Sequence, residues 1–335
     1  MAKRVKIPKL PQLLDRKIYK SGQTRGADDD EIYQNRVNRN STALIRYDLW
    51  TDTFFNDISD PCIFFEKDFI VLIDPVTYFS FKNPEKELAR YSLRLGVNCL
   101  VFYQQRQDWD AFPPETMGWK PATSRVNPLG GEYVARVHDT TAAGVEGEKI
   151  AHGFTTTGMK GAGIRVYEYA NSETTKACQI QLTAAFWMCY NSIEAACEFG
   201  MTREDAEKRK AHDLKTAEDV GLLDYERLIF ARIINDSHIT ICPLCLEPLD
   251  AFGFFNRKAQ AQGREKFDLT ITELNLFHIK ELRPGEFNHR PYNLGWGHHL
   301  CNVVIGDEGI DNTIKWMFEV IERNNPYYHF IEMSE

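Results

Sequence analysis

Three stretches near the C-terminus decide how the chain reads: Cys242-Pro243-Leu244-Cys245, then Phe277-His278-Ile279, then Asn293-Leu294-Gly295-Trp296-Gly297-His298-His299-Leu300-Cys301-Asn302. Cys242 and Cys245 form one C-x-x-C knuckle. His298 and Cys301 repeat its spacing with a His in place of one Cys. Zinc takes four N or S ligands at tetrahedral corners, so the two pairs together predict one structural Zn²⁺ on Cys242, Cys245, His298 and Cys301. The pairs lie about fifty residues apart, too far for a single short finger, so other elements must fold between them. Each pair alone has a plainer reading. A C-x-x-C also serves redox chemistry, although no thioredoxin-like βαβ pattern surrounds this one. His298 and His299 also suit polar positions near a helix start.

Between the pairs, Thr270-Ile271-Thr272-Glu273-Leu274-Asn275-Leu276-Phe277-His278 alternates polar and apolar residues, which predicts a half-buried strand. His278 closes that strand and Asn293 follows in the next segment. Asn302 stands directly after the last zinc ligand. Strand with His, loop with Asn, helix with a further polar residue, all between soft-ligand pairs: this order resembles the zinc-stapled ββα-metal, or HNH, nucleases over roughly residues 240 to 306. The resemblance implies His278 as general base, with Ile279 and Leu282 matching the rest of the family's His-Ile-x-x-Leu signature. It implies Asn293 as the residue that orients the base or its loop. It implies Asn302 as an oxygen ligand of a catalytic Mg²⁺. Read singly, His278 also suits a hydrogen-bonded strand histidine, and either Asn a turn or helix start.

These residue types suit phosphodiester hydrolysis. An imidazole titrating near neutrality can take a proton from water, and a hard cation polarises the phosphate and stabilises the departing 3′ oxygen. Successive helix residues point about 100° apart, so Cys301 can face zinc while Asn302 faces the catalytic metal. One position departs from the family. Phe277 stands where a second metal ligand, Asp, Glu or His, usually precedes the base. Glu273, Asn275, Glu281, Asp307 or bound water would have to replace it.

Composition bounds the remainder. A chain of 335 residues allows one large or two ordinary domains. No apolar run is long enough for a membrane span, and the opening Lys3-Arg4-Val5-Lys6-Ile7-Pro8 lacks a signal-peptide core. The cysteines outside the zinc set, Cys62, Cys99, Cys178, Cys189 and Cys197, sit in apolar contexts and read as buried thiols, which suits the cytoplasm. The net charge of −8 argues against a non-specific DNA coat. Yet residues 1–46 are locally basic, with Arg16, Lys17, Lys20, Arg25, Arg36, Arg39 and Arg46 among them, and read as an arm touching phosphates.

Further along, Phe69–Ile73 and Leu100–Tyr103 read as buried strands. Glu85–Leu95, Thr174–Phe199 and Asp224–Asn235 read as helices, and Trp109–Gly131 as a long loop. Thr202–Lys210 reads as a solvated helix. The glycine-rich Gly153–Gly163 could present amides to a phosphate but lacks the Walker pattern. The expected fold class is therefore α+β. Residues 1–46 form a basic N-terminal arm and 47–222 a mixed α/β target-recognition body. Residues 223–335 form a zinc-bound ββα-metal (HNH) nuclease unit.

A large body before a small nuclease unit resembles a type II restriction endonuclease of the HNH class. The opening Ile7-Pro8-Lys9-Leu10-Pro11-Gln12-Leu13-Leu14-Asp15-Arg16-Lys17, with Thr24-Arg25-Gly26-Ala27-Asp28-Asp29-Asp30, is similar to the BstXI-type restriction enzymes. That resemblance implies double-stranded DNA as partner, an interrupted palindromic site of the CCA…TGG kind and a homodimer or higher homo-oligomer. The competing PD-(D/E)xK core finds Asp74-Pro75 and Gln104-Gln105-Arg106 near strands, but no Glu-x-Lys at a convincing position. Two alternatives stay open: a zinc-stabilised DNA-binding protein without catalysis, favoured by Phe277, and a non-specific HNH nuclease.

Overall fold

The computed structural model describes residues 6–25, 36–57, 65–138, 147, 149–154, 163–257 and 272–328. Thr270, Ile271, Cys62, the segment 155–162 and the basic residues Lys3 and Arg4 lie outside the described residues. The chain divides into two compact units, one of residues 1–22, 173–282 and 288–335, the other of 23–172 and 283–287. These do not follow the expected spans 1–46, 47–222 and 223–335. Residues 1–22 and the helices of 173–222 belong with the C-terminal site, and the short stretch 283–287 belongs with the other unit.

In the unit built on residues 23–172, β1 (Gln23–Arg25) and β2 (Arg36–Asn38) form an antiparallel pair. A six-stranded sheet follows: β3 (Ala43–Arg46), β4 (Phe69–Ile73), β5 (Cys99–Tyr103), β6 (Tyr133–Val137), β7 (Ile150–His152) and β8 (Ile164–Arg165), in the order β7-β6-β5-β4-β3-β8. Neighbours β3 to β6 run parallel, β8 runs parallel to β3, and only β7 is antiparallel to its neighbour. Parallel strands need both faces covered, which is why Phe69–Ile73 and Cys99–Tyr103 are apolar throughout. Their period-2 alternation sends Val71, Ile73, Val101, Tyr103 and Ala135 into one core with Trp50 and Phe54. It sends Ile70, Leu100 and Val134 into the other with Phe154. Phe287 adds a ring to the first core, edge-on to Phe54 and Tyr169.

The helix expected over Glu85–Leu95 is shorter, Pro84–Arg90. Asn83 caps its start by accepting from the Lys86 amide. Ser92 takes a left-handed φ of 59°, and the Leu93 amide closes the end on the Leu88 carbonyl. The loop expected over Trp109–Gly131 contains the end of a helix, Arg106–Ala111, and a 3-10 turn at Pro114–Met117.

The other unit packs helices Gln12–Ser21, Ser172–Trp187, Ser192–Glu198, Arg203–Asp219 and Tyr225–Phe230 around Leu14, Phe186, Trp187, Leu228, Phe254, Phe277 and Trp296. The expected helix Thr174–Phe199 is two helices. Tyr190 leaves the helical path to pair its backbone with Leu249 and Ala251, and Asn191 turns the chain at φ 54°. Asp224–Asn235 is helical only over Tyr225–Phe230. β9 (Leu274–His278) and β10 (Leu294–His298) then form an antiparallel pair, and helices His299–Ile305 and Ile310–Tyr328 complete the unit. Among the described residues no helix is long and apolar enough to cross a membrane.

Two members of the basic segment are corrected by their burial. Lys17 is 9% exposed and donates to the Leu274 carbonyl and Asn275 Oδ1, and Arg39 is 5% exposed and donates to the Glu168 carbonyl. Both cations are committed to carbonyls inside their own units rather than standing out toward solvent.

Candidate active site and metal centre

The knuckle is shaped by its backbone. Ile241 pairs with Pro248, the Cys242 amide donates to Glu247 and the Leu246 amide returns to Cys242, with Leu246 at φ 62°. This turn aims both thiols to one side. On the facing element, His298 ends β10 in an extended conformation at the cap of helix His299–Ile305. Cys301 lies in the first turn of that helix, and an i, i+3 spacing across a cap keeps the two on one side. Gly297 lets β10 lie close over Phe277 of β9, since a Cβ there would stand 2.6 Å from that ring.

The result is a single cluster. Ligand atoms of Cys242, Cys245, His298 and Cys301 all lie within 4.8 Å of one another, and Cys245 Sγ is 3.3 Å from His298 Nδ1. Zn–S and Zn–N bonds of about 2.3 and 2.0 Å give ligand–ligand edges in that range, so the donor set fits a tetrahedral metal. Burial, and then the neighbouring thiols, push Cys301 up to about 12, and burial likewise raises Cys245. Crowded thiols of this kind ionise readily only beside a cation, which reverses both effects. Among the described residues this is the one group of three or more such side chains close enough to hold a metal.

His278 is half-buried at the end of β9, opposite Leu294. Its Nε2 lies 3.1 Å from Nδ1 of His289, which is wholly buried, and the two rings are tilted by 53°. Asn293, also buried, clamps the intervening loop. Its Oδ1 accepts from the Lys280 amide at 2.7 Å, and its Nδ2 donates to the carbonyls of Lys280 at 3.0 Å and Asn288 at 2.7 Å. Asn288 Nδ2 donates in turn to the Glu281 carbonyl. The residue before this clamp, Tyr292, holds φ 63° because three contacts secure it. Its amide donates to Gln181, its hydroxyl to Gly221, and Arg227 stacks on its ring at 3.9 Å.

Asn302 is half-buried, one position beyond Cys301, on a helix packed against β9 and β10. Phe277 is 0% exposed and points away from His278 by strand alternation, packed over Gly297. It is a core residue, which is why no ligand stands at that position. Of the replacements the sequence offered, Asn275 is occupied by Lys17, by the Thr272 carbonyl and by His299. The carboxylate of Glu281 lies against Gly309, at the start of helix Ile310–Tyr328, where a negative charge is favoured. Asp74, considered for a PD-(D/E)xK core, caps helix Pro75–Ser80 by accepting from the Thr77 amide. The motif spacing does not point to His289. Its pairing with His278 depends on how the Lys280–Asn288 loop closes, and no spacing rule encodes that.

The BstXI restriction endonuclease family profile matches residues 16–299, most of the chain, and the chain belongs to that family. The match takes in Cys242, Cys245, His278, His289, Asn293 and His298. Among solved structures, one described as the crystal structure of a type II restriction endonuclease is 18% identical, with a TM-score of 0.29. That alignment covers 47% of this chain and 57% of that one. No curated protein sequence matches the chain.

Proposed function

We propose that the chain is a type II, sequence-specific endonuclease of double-stranded DNA whose chemistry resides in a zinc-stapled ββα-metal unit. The observation that carries this reading is His278, at the end of β9 and locked to a buried imidazole, on the two-strand-and-helix element that also bears His298 and Cys301. Membership in a restriction endonuclease family supports the same conclusion. Cys242, Cys245, His298 and Cys301 hold Zn²⁺ as a structural ion. Its binding is folding energy for an otherwise small element.

His278 takes a proton from the attacking water. Asn293 holds the loop that fixes the base. Asn302 offers an amide oxygen to Mg²⁺, which when bound polarises the phosphate and stabilises the leaving 3′ oxygen. With Phe277 in the core, Asn302 is the protein donor this reading supplies, and Mg²⁺ ordinarily keeps several waters. Target reading falls to residues before about 222, where a mixed sheet and its loops offer far more surface than the ββα element. Cutting both strands of a palindrome calls for a symmetric homodimer at least, acting in the cytoplasm.

The wholly buried Phe277 favours the alternative, a zinc-bound DNA-binding protein without catalysis. Digesting a long DNA of known sequence with Mg²⁺ and mapping the ends decides between them. Discrete ends at one recurring sequence are expected. A smear would mean a non-specific nuclease, and intact DNA that is still bound would mean the non-catalytic reading.

A further inference from the structure

Resting on His278 as the general base, we propose that His289 is a positioning residue that selects the basic tautomer of His278. A neutral imidazole carries one N–H and one acceptor nitrogen. His278 Nε2 and His289 Nδ1 are 3.1 Å apart, so one of them donates and the other accepts. If His289 donates, the proton of His278 sits on Nδ1 and neither of its nitrogens can take another. If His278 donates from Nε2, its Nδ1 is the basic atom. His289 then carries its own proton on Nε2. The pair has two arrangements, and only the second is catalytic.

The surrounding loop is built to hold this pair. Asn293 grips both backbone groups of Lys280, two residues beyond His278, and the carbonyl of Asn288, directly before His289. One side chain thus fixes the exit of β9 and the position of the second imidazole together. His289 is wholly buried while His278 is half-buried, so the outer ring meets water and the inner one supports it. In the reaction an O–H bond of water breaks and an N–H bond forms at His278 Nδ1. The hydroxide oxygen bonds to phosphorus as the P–O3′ bond breaks, and the departing oxygen takes a proton from solvent. The imidazolium left on His278 strengthens its bond to neutral His289, because a charged donor makes the stronger hydrogen bond.

The test joins ¹⁵N-histidine NMR of the full-length protein with kinetics of His289→Ala and His289→Asn. The unsubstituted protein is expected to show His278 as the Nε2–H tautomer. His289→Ala is expected to lower kcat by a factor on the order of 10², within the usual reach of general-base catalysis, with KM and DNA binding unchanged. His289→Asn places an amide oxygen near the lost Nδ1 and is expected to recover most of that loss. An Nδ1–H tautomer in the unsubstituted protein would overturn the proposal, and that spectrum decides even if His289→Ala fails to fold. So would an Asn variant no better than Ala, or a metal ion beyond zinc that is lost with His289. Wild-type cleavage by His278→Ala would remove the base itself. Inactive His278→Ala beside fully active His289→Ala would remove only the positioning role.

Discussion

Two of the sheets in this chain, the six-stranded one and the β9–β10 pair, are held by different forces. The six-stranded sheet buries both faces, and residues such as Val71, Ile73, Leu100 and Val101 are at most 1% exposed. The β9–β10 pair has two strands of five residues each, a size that is marginal by itself in water. It is anchored by Trp296 and Phe277 in the core and, at its far end, by a knot of three thiols and an imidazole. Area stabilises the first. In the second, four donor atoms stand close enough together to share one ion. Of the catalytic residues we assign, His278 lies on the second, Asn293 directly before its strand β10 and Asn302 on the helix that follows it.

Metal removal should separate the two most sharply. A structural zinc contributes on the order of 10 kcal/mol in small modules. Chelation, or Cys242→Ser, should therefore accelerate hydrogen exchange across Leu274–His278 and Leu294–His298 while β4 and β5 stay protected. Equal acceleration in both sheets would erase the distinction. Phe277→Asp introduces the acid that ββα-metal nucleases usually carry before the base, but puts a carboxylate in a site with no exposure. It should cost several kcal/mol and lower cleavage, as denaturant melts and plasmid assays would report. A variant that folds and cuts faster would show that position 277 can reach the catalytic metal.

Ile73→Ala should cost about 2–5 kcal/mol, the usual range for a fully buried site, and leave zinc content unchanged in elemental analysis. Loss of zinc there would couple the sheet to the metal. The smallest effect concerns pH. Glu66 accepts from the Ser172 hydroxyl, from Asn40 and from the Ser172 amide, and these bonds hold its pKa below the usual carboxylate value. A lowered folded pKa gives stability that is present above pH ~4.5 and lost as pH falls through the folded value. Glu66→Gln should flatten the acid limb of that unit's stability curve. An unchanged limb would mean the bonds form equally in the unfolded chain.

What the sequence disclosed follows the same division. Phe69–Ile73 and Cys99–Tyr103 were legible because strands buried on both faces must be apolar throughout. The convergence of Cys242, Cys245, His298 and Cys301 was legible because soft ligands at C-x-x-C and H-x-x-C spacing have few other uses. The break at Asn191 was not legible, because it depends on Tyr190 pairing with Leu249 and Ala251, about sixty residues on. Nor was the fate of Lys17. A basic residue in a basic segment reads as solvated, yet this one serves the carbonyl of Leu274 from inside the core. The His278–His289 pair was hidden for the same reason, since loop closure by Asn293 is a tertiary fact.

The central claim is that phosphodiester cleavage depends on His278 in the metal-held unit. Cleavage of supercoiled plasmid by the unsubstituted chain and by His278→Ala, at equal zinc content and equal DNA binding, tests it most directly. We predict a fall on the order of 10² or more, the scale of a lost general base. Cleavage by His278→Ala at the unsubstituted rate would contradict the account and place the base elsewhere in the chain.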